Sequence, residues 1–130
     1  MLLTARCEVF LLGHPDPLPI AIDRLVRFAE ARADCLYAPD VTAREDIAAI
    51  VKAVAPKPVN VLARKLGGLT LDDLARLGVR RVSVGGGLAR MAWAGVMRAA
   101  DDLAAGRFDA LDEGASGAAL NAFFASKDGL

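Results

Sequence analysis

At 130 residues, with 55% hydrophobic side chains and a mean hydropathy of +0.36, the chain has enough material for one globular domain and too little for two. Lys and Arg number 16 against 16 Asp and Glu, scattered along the chain, which argues against a nucleic-acid partner. No apolar run of roughly 18 residues offers a membrane span, and the start Met1-Leu2-Leu3-Thr4-Ala5-Arg6 lacks the basic-then-apolar order of a secretory leader, so a cytoplasmic location is expected.

In chain order, Leu2-Leu3-Thr4-Ala5-Arg6 reads as a short apolar strand that ends in charge, with Cys7 and Glu8 next, and Gly13-His14-Pro15-Asp16-Pro17 is a loop by its turn chemistry. Leu18, Ile22, Leu25, Val26 and Ala29 then recur at helical spacing, with Asp23, Arg24, Arg27 and Glu30 on the other side. Cys35-Leu36-Tyr37-Ala38 makes a second strand stopped by Pro39-Asp40. Ile47, Ile50, Val51 and Val54 mark a second helix, which Pro56 and Pro58 end. The stretch Pro58 to Arg64 reads as a third strand, buried on both faces, with one polar amide, Asn60, near its C-terminal end.

After the turn at Gly67-Gly68, Thr70 reads as the cap of a helix with Asp72 and Asp73 in its first turn and Leu71, Leu74 and Leu77 on its apolar edge; Gly78 stops it. Arg81 to Val84 is the fourth strand, followed by Gly85-Gly86-Gly87 and a long helix from about Leu88 to Ala105. Beyond Gly106 a looser tail holds Leu120, Phe123 and Phe124 at spacing fit for a short helix. Cys7 and Cys35 have no metal-ligand spacing and read as small buried hydrophobes. His14, in a loop, is expected to face solvent.

Four strands alternating with helices imply parallel βα units with right-handed crossovers, either in a doubly wound sheet or in part of a (β/α) barrel, and the pattern alone does not choose. A dinucleotide fold would place Gly-x-Gly-x-x-Gly after the first strand, where this chain has Arg6-Cys7-Glu8-Val9-Phe10. Its glycines follow the last strand instead, where backbone N–H groups leading into a helix can cradle an anion. Asn60 must find hydrogen-bond partners, and in strand–helix repeats the strand C-termini are where ligands sit.

The strings LLTARCEVFLLG, RLVRFAEARADCLYAP, KPVNVLAR, LARLGVRRVSVGGGLAR and GRFDAL, in this order, resemble the C-terminal half of the isocitrate lyase/phosphoenolpyruvate mutase family. The resemblance implies an α/β fold: the C-terminal half of a (β/α)8 TIM-type barrel, its four parallel strands the last four of eight, over residues 1–113, with a C-terminal helical tail over 114–130. It implies a Mg²⁺-dependent C–C or P–C bond lyase acting on a small 2-oxo or dicarboxylic acid of the isocitrate, methylisocitrate, oxaloacetate or phosphonopyruvate class, and a homo-oligomer that exchanges a helix between subunits.

Residue by residue, Arg6 matches the family's arginine at the end of an Ala-Arg-Thr-Asp/Glu strand, which binds the substrate carboxylate or phosphonate; a five-donor fork suits such a group. The plainer reading of Arg6 is a surface pair with Glu8, which stands at the same mouth. Asn60 matches a substrate-binding asparagine, and Arg90, in the first turn of the last long helix, matches a second substrate arginine of some members. Ser83 and Gly85 border the same mouth. No catalytic residue is identified, and the family's metal carboxylates and its gate bearing Lys and Cys correspond to sequence upstream of Met1. Mg²⁺ is thus implied without a ligand in this chain, and the resemblance leaves two alternatives to a lyase: an inactive fragment, or a subunit completing a barrel with a separate N-terminal half. Asp72-Asp73 and Asp101-Asp102 read as solvated helix faces. Arg32 stands where the family usually has glycine and Asp40 where it usually has glycine or glutamate; at Arg32 that glycine would serve a left-handed helix end, which Arg adopts at a cost of about 1 kcal/mol.

Overall fold

The switch between period-2 and helical patterning is realised as β1 (Thr4–Arg6), α1 (Pro17–Glu30), β2 (Cys35–Tyr37), α2 (Arg44–Val54), β3 (Val59–Leu62), α3 (Leu71–Arg76) and β4 (Arg81–Ser83). In this computed structural model, which describes residues 1–125, the strands form one parallel sheet in the order β1-β2-β3-β4. Each strand is shorter than its apolar run. Leu3 is drawn out of the ladder because its carbonyl accepts from Asp34 and Cys35 N–H at 2.9 and 3.1 Å while its own N–H donates to the Asp34 carboxylate at 2.7 Å. At the other end of β3, the Arg64 N–H turns back onto the Leu62 carbonyl at 2.7 Å and closes the strand.

One face of the sheet is covered by α1 and α2. Proline in the first turn of α1 sacrifices no hydrogen bond, since those N–H groups have no intrahelical acceptor. Ala21 and Leu25 of α1 and Ile47, Ile50 and Val54 of α2 recur every three or four residues and are buried with Leu36, Val59 and Val61 of the sheet. Each such Val, Leu or Ile contributes roughly 1.5–3 kcal/mol by leaving water. Cys7 and Cys35 are free and buried, as small apolar side chains would be. By strand alternation the opposite face carries Arg6, Tyr37, Asn60 and Arg81 as one register row, with Leu62 and Ser83 in the next.

The helix ends follow their sequence signals. Thr70 and Asp73 form a reciprocal capping box at the start of α3, and Asp73 also pairs with Arg76 at 2.8 Å and Arg44 at 3.4 Å. Asp73 is therefore a node joining the starts of α2 and α3 rather than a solvated acid. The Thr70 hydroxyl and backbone N–H, with the two arginines, hold its carboxyl down from 3.8 to about 2. A carboxyl whose pKa is depressed on folding contributes stability above its unfolded value and loses it as the pH falls through the folded one. The stability difference between the native chain and Asp73→Asn is expected to be constant above about pH 4 and to shrink between pH 4 and 2, as measured by urea titrations at stepped pH. A difference unchanged down to pH 2 would show that the node does not titrate.

After α1, Arg32 takes φ 68°, with Arg32 N–H donating to Ala29 and Ala33 N–H to Phe28, so arginine occupies the left-handed position that suits glycine. Asp40, after β2, takes φ 64°.

The chain divides into two compact units, Met1–Gly87 and a second from Leu88 onward, so the boundary expected after residue 113 falls within the second unit. There α4 (Gly87–Ala104) runs to Gly106, at φ 74°, where Asp102 and Arg107 pair; a 3-10 turn (Asp109–Leu111) and α5 (Gly117–Ala125) follow. The tail helix expected around Leu120, Phe123 and Phe124 is α5, with the two rings edge-to-face at 5.2 Å. Neither α4 nor α5 has a buried residue. Among the described residues no helix is long and apolar enough to cross a membrane.

Candidate functional site

The C-terminal ends of the strands gather most of the residues that the sequence singles out. Arg6 is the last residue of β1, and its Nη2 meets Oε1 of Glu8 at 2.8 Å, with the two side chains 50% and 46% exposed. The surface pair is thus present. A second contact gives Arg6 direction: its guanidinium carbon stands 5.6 Å from the ring centroid of Tyr37, its register partner on β2. Nothing in the sequence pattern marked Tyr37 beyond its place at the end of an apolar strand. The register brings it between Arg6 and Asn60.

Asn60 is the second of the four residues of β3, two before its last residue, because the strand stops at Leu62, short of its apolar run. Its side chain is fully buried. The amide nitrogen donates to the Ser83 hydroxyl at 3.0 Å, and the amide oxygen has no hydrogen-bond partner. Leaving such an atom unpaired in the interior costs about 1–3 kcal/mol, which an apolar residue of similar shape would avoid. A hydroxyl both donates and accepts, so Ser83 can also satisfy the amide turned over, with the nitrogen free to donate. Asn60 can therefore present either a donor or an acceptor to a bound molecule.

Gly85, at φ 52°, borders the same end of the sheet; a Cβ there would come to 3.3 Å from Leu62 Cδ1. Arg90 is exposed in the first turn of α4 and belongs to the second unit. A further pair, missed by the sequence reading, spans the ends of β2 and β3: Arg64 Nη2 lies 3.4 Å from Asp40 Oδ2. A cleft of about 600 Å³ lined by Leu2, Thr4, Cys35, Pro58 and Arg81 lies instead at the N-terminal ends of the strands.

Four parallel strands in sequence order with helices over one face define half of a (β/α)8 barrel, and the guanidinium, aromatic ring, buried amide and hydroxyl lie toward the end of the sheet where such barrels bind their ligands. Comparison with known proteins resolves the class further. The profile of the phosphoenolpyruvate phosphomutase family matches residues 1–104, and the chain belongs to that family. A crystal structure from Burkholderia cenocepacia J2315, described provisionally as a lyase/mutase, is 47% identical with a TM-score of 0.86 over 97% of this chain and 45% of its own. Another from the same organism, described provisionally as a phosphonomutase, is 30% identical with a TM-score of 0.65 over 78% of this chain and 42% of its own. An uncharacterised protein of Mycobacterium tuberculosis is 35% identical over 81 residues, 62% of this chain and 30% of that protein. The chain thus spans less than half the length of the solved structures it matches.

Proposed function

We propose that this chain supplies the substrate-anion side of a lyase or mutase site, binding a small 2-oxo or dicarboxylic acid, or the matching phosphonate, at the C-terminal ends of its strands. The observation that carries the reading is Asn60, a fully buried amide in a strand otherwise made of Val and Leu, with one polar atom satisfied by Ser83 and the other by nothing. Arg6, in the same register row and braced by the Tyr37 ring, supplies the fork for a carboxylate. Glu8 holds that fork until an anion replaces it, and Gly85 leaves free the space beside Leu62 that a Cβ would crowd.

Family membership supports carbon–carbon or carbon–phosphorus bond chemistry in a complete barrel, with Mg²⁺ as the implied Lewis acid. Among the described residues no group of three His, Cys, Asp or Glu side chains could hold a metal, and a hard cation needs such clustered oxygens. The described residues therefore fit binding and orientation of the anion and do not fit the metal. A second reading, a subunit completing a barrel with a separate N-terminal half, is supported by the sheet edges: β1 and β4 each have one strand neighbour.

Calorimetric titration with oxalate tests the anion site. Arg6→Ala is expected to bind roughly 10- to 100-fold more weakly than the native chain, the value of a charge-assisted pair of hydrogen bonds. Equal affinity of the two would remove Arg6 from the site.

A further inference from the structure

The face of the sheet opposite α1 and α2 is layered like the inside of a barrel. Below the row Arg6, Tyr37, Asn60 and Arg81 lies a second row, Thr4 and Cys35 in register with Pro58 leading into β3. The cleft of about 600 Å³ runs across this lower layer, lined by residues in or beside all four strands, Leu2 and Thr4 at one edge and Arg81 at the other. In a (β/α)8 barrel the side chains of the opposite strands pack this space, so the cleft is half of a core. The two edges that flank it are complementary. β1 and β4 are three residues long, and each has one strand neighbour. At the β1 edge Leu2 and Leu3 are 84% and 55% exposed, and the Asp34 carboxylate stands at the Leu3 N–H. At the β4 edge Val84 is exposed and Arg81 makes no ion pair among the described residues.

One edge is thus apolar and acidic, the other apolar and basic. We propose that the partner of this sheet is a second copy of the chain, and that two copies close one eight-stranded parallel barrel. A two-fold axis along the barrel sets the β4 edge of each copy against the β1 edge of the other, which forms the same seam twice and leaves no edge free. The register follows from closure. Barrels of this class shift by about 8 residues over a full circuit, hence by about four over half of one, so the row that ends at Arg81 continues four residues before Arg6, at Leu2 of the second copy. A shift the other way would reach Phe10, which lies in the turn beyond the strand. Val82 then meets Leu3, and Ser83 meets Thr4, pairing apolar with apolar and hydroxyl with hydroxyl. The copy that closes the sheet is also available to cover the exposed apolar residues of α4, so one dimer meets both needs. The proposal gives the second reading above a different partner, this chain in place of a separate N-terminal half, and is independent of the anion reading.

Disulfide trapping on the full chain tests the seam. Within one copy, positions 3 and 82 are three strand spacings or about 14 Å apart, too far for a disulfide, which needs Cα atoms within about 7 Å. The native chain is expected to sediment as a dimer. Leu3→Cys combined with Val82→Cys should, after mild oxidation, run as a covalent dimer on a non-reducing gel with two bridges by intact mass, while each single variant runs as a monomer. Thr4→Cys combined with Ser83→Cys, one residue further along the seam, should do the same and serves if thermal unfolding shows the first pair to be misfolded. A native monomer overturns the proposal and leaves a separate N-terminal half as the partner. A native dimer that neither pair bridges places the contact elsewhere and overturns it as well. So does a ladder of covalent oligomers, because the edges then join without closing. Oxalate titration of the native chain, read separately, decides the anion reading whichever of these results is found.

Discussion

Gly78→Ala is expected to destabilise the first unit by about 2–5 kcal/mol, through backbone strain and overpacking together. Gly78 closes α3: its N–H donates to Ala75 and the next N–H, of Val79, to Leu74, a pattern that requires a left-handed residue, and φ is 91°. Alanine there costs roughly 1–2 kcal/mol in backbone strain alone. Its Cβ would also come to 2.7 Å from Val51 Cγ1, well inside contact distance. Val51 sits on α2, and a β-branched side chain in a helix has essentially one rotamer, so it cannot swing aside. The helix must move, which adds about 1–3 kcal/mol of overpacking. Gly67→Ala is the control: φ is 59° and nothing lies within 4 Å of the added methyl, so only the strain of about 1 kcal/mol remains. Urea unfolding of the three proteins reads both values, and equal losses at the two sites would show that the Val51 contact carries no weight.

Gly78 was legible in the sequence as a helix stop because the signal is local. The same holds for the Thr70 cap and for the alternation of strands and helices, whereas the left-handed backbone at Arg32 was expected only from the family resemblance. What the sequence did not show depends on register. The apolar run around Asn60 continues to Ala63, yet the strand ends at Leu62, where the Arg64 N–H turns back, so Asn60 lies closer to the strand end than the run implies. Tyr37 gained meaning only when pairing set it between Arg6 and Asn60, and the Arg64–Asp40 contact joins loops 24 residues apart in the chain. Asp73 looked like a solvated acid because its partner Arg44 arrives from another helix. Composition and period record what a residue's neighbours in sequence are; these four contacts record which loops the sheet brings together.

The second large effect is expected in association: the chain should sediment as a dimer at micromolar concentration, and Trp93→Glu should return it toward monomer. On α4, Leu88, Met91, Trp93, Val96, Met97 and Leu103 are between 44% and 74% exposed. With about 100° between successive residues, these positions spread around more than half of the helix. A surface helix of a monomer keeps one apolar stripe, whereas one apolar over most of its circumference needs a wall on more than one side. Phe124, 79% exposed on α5, adds to the uncovered area. A second copy of the chain is the most economical wall, because a two-fold contact lets one apolar patch cover its own image. Net charge opposes this little, the 16 basic and 16 acidic residues leaving none to repel. A glutamate at position 93 would bury an unpaired carboxylate in such a contact, which costs several kcal/mol and hence orders of magnitude in the dimer dissociation constant. Folding of each chain is followed in parallel by the cooperativity of its thermal transition, so that loss of the dimer is separated from loss of the fold. A native chain that sediments as a monomer and unfolds cooperatively would place the cover of α4 within its own chain and defeat the prediction.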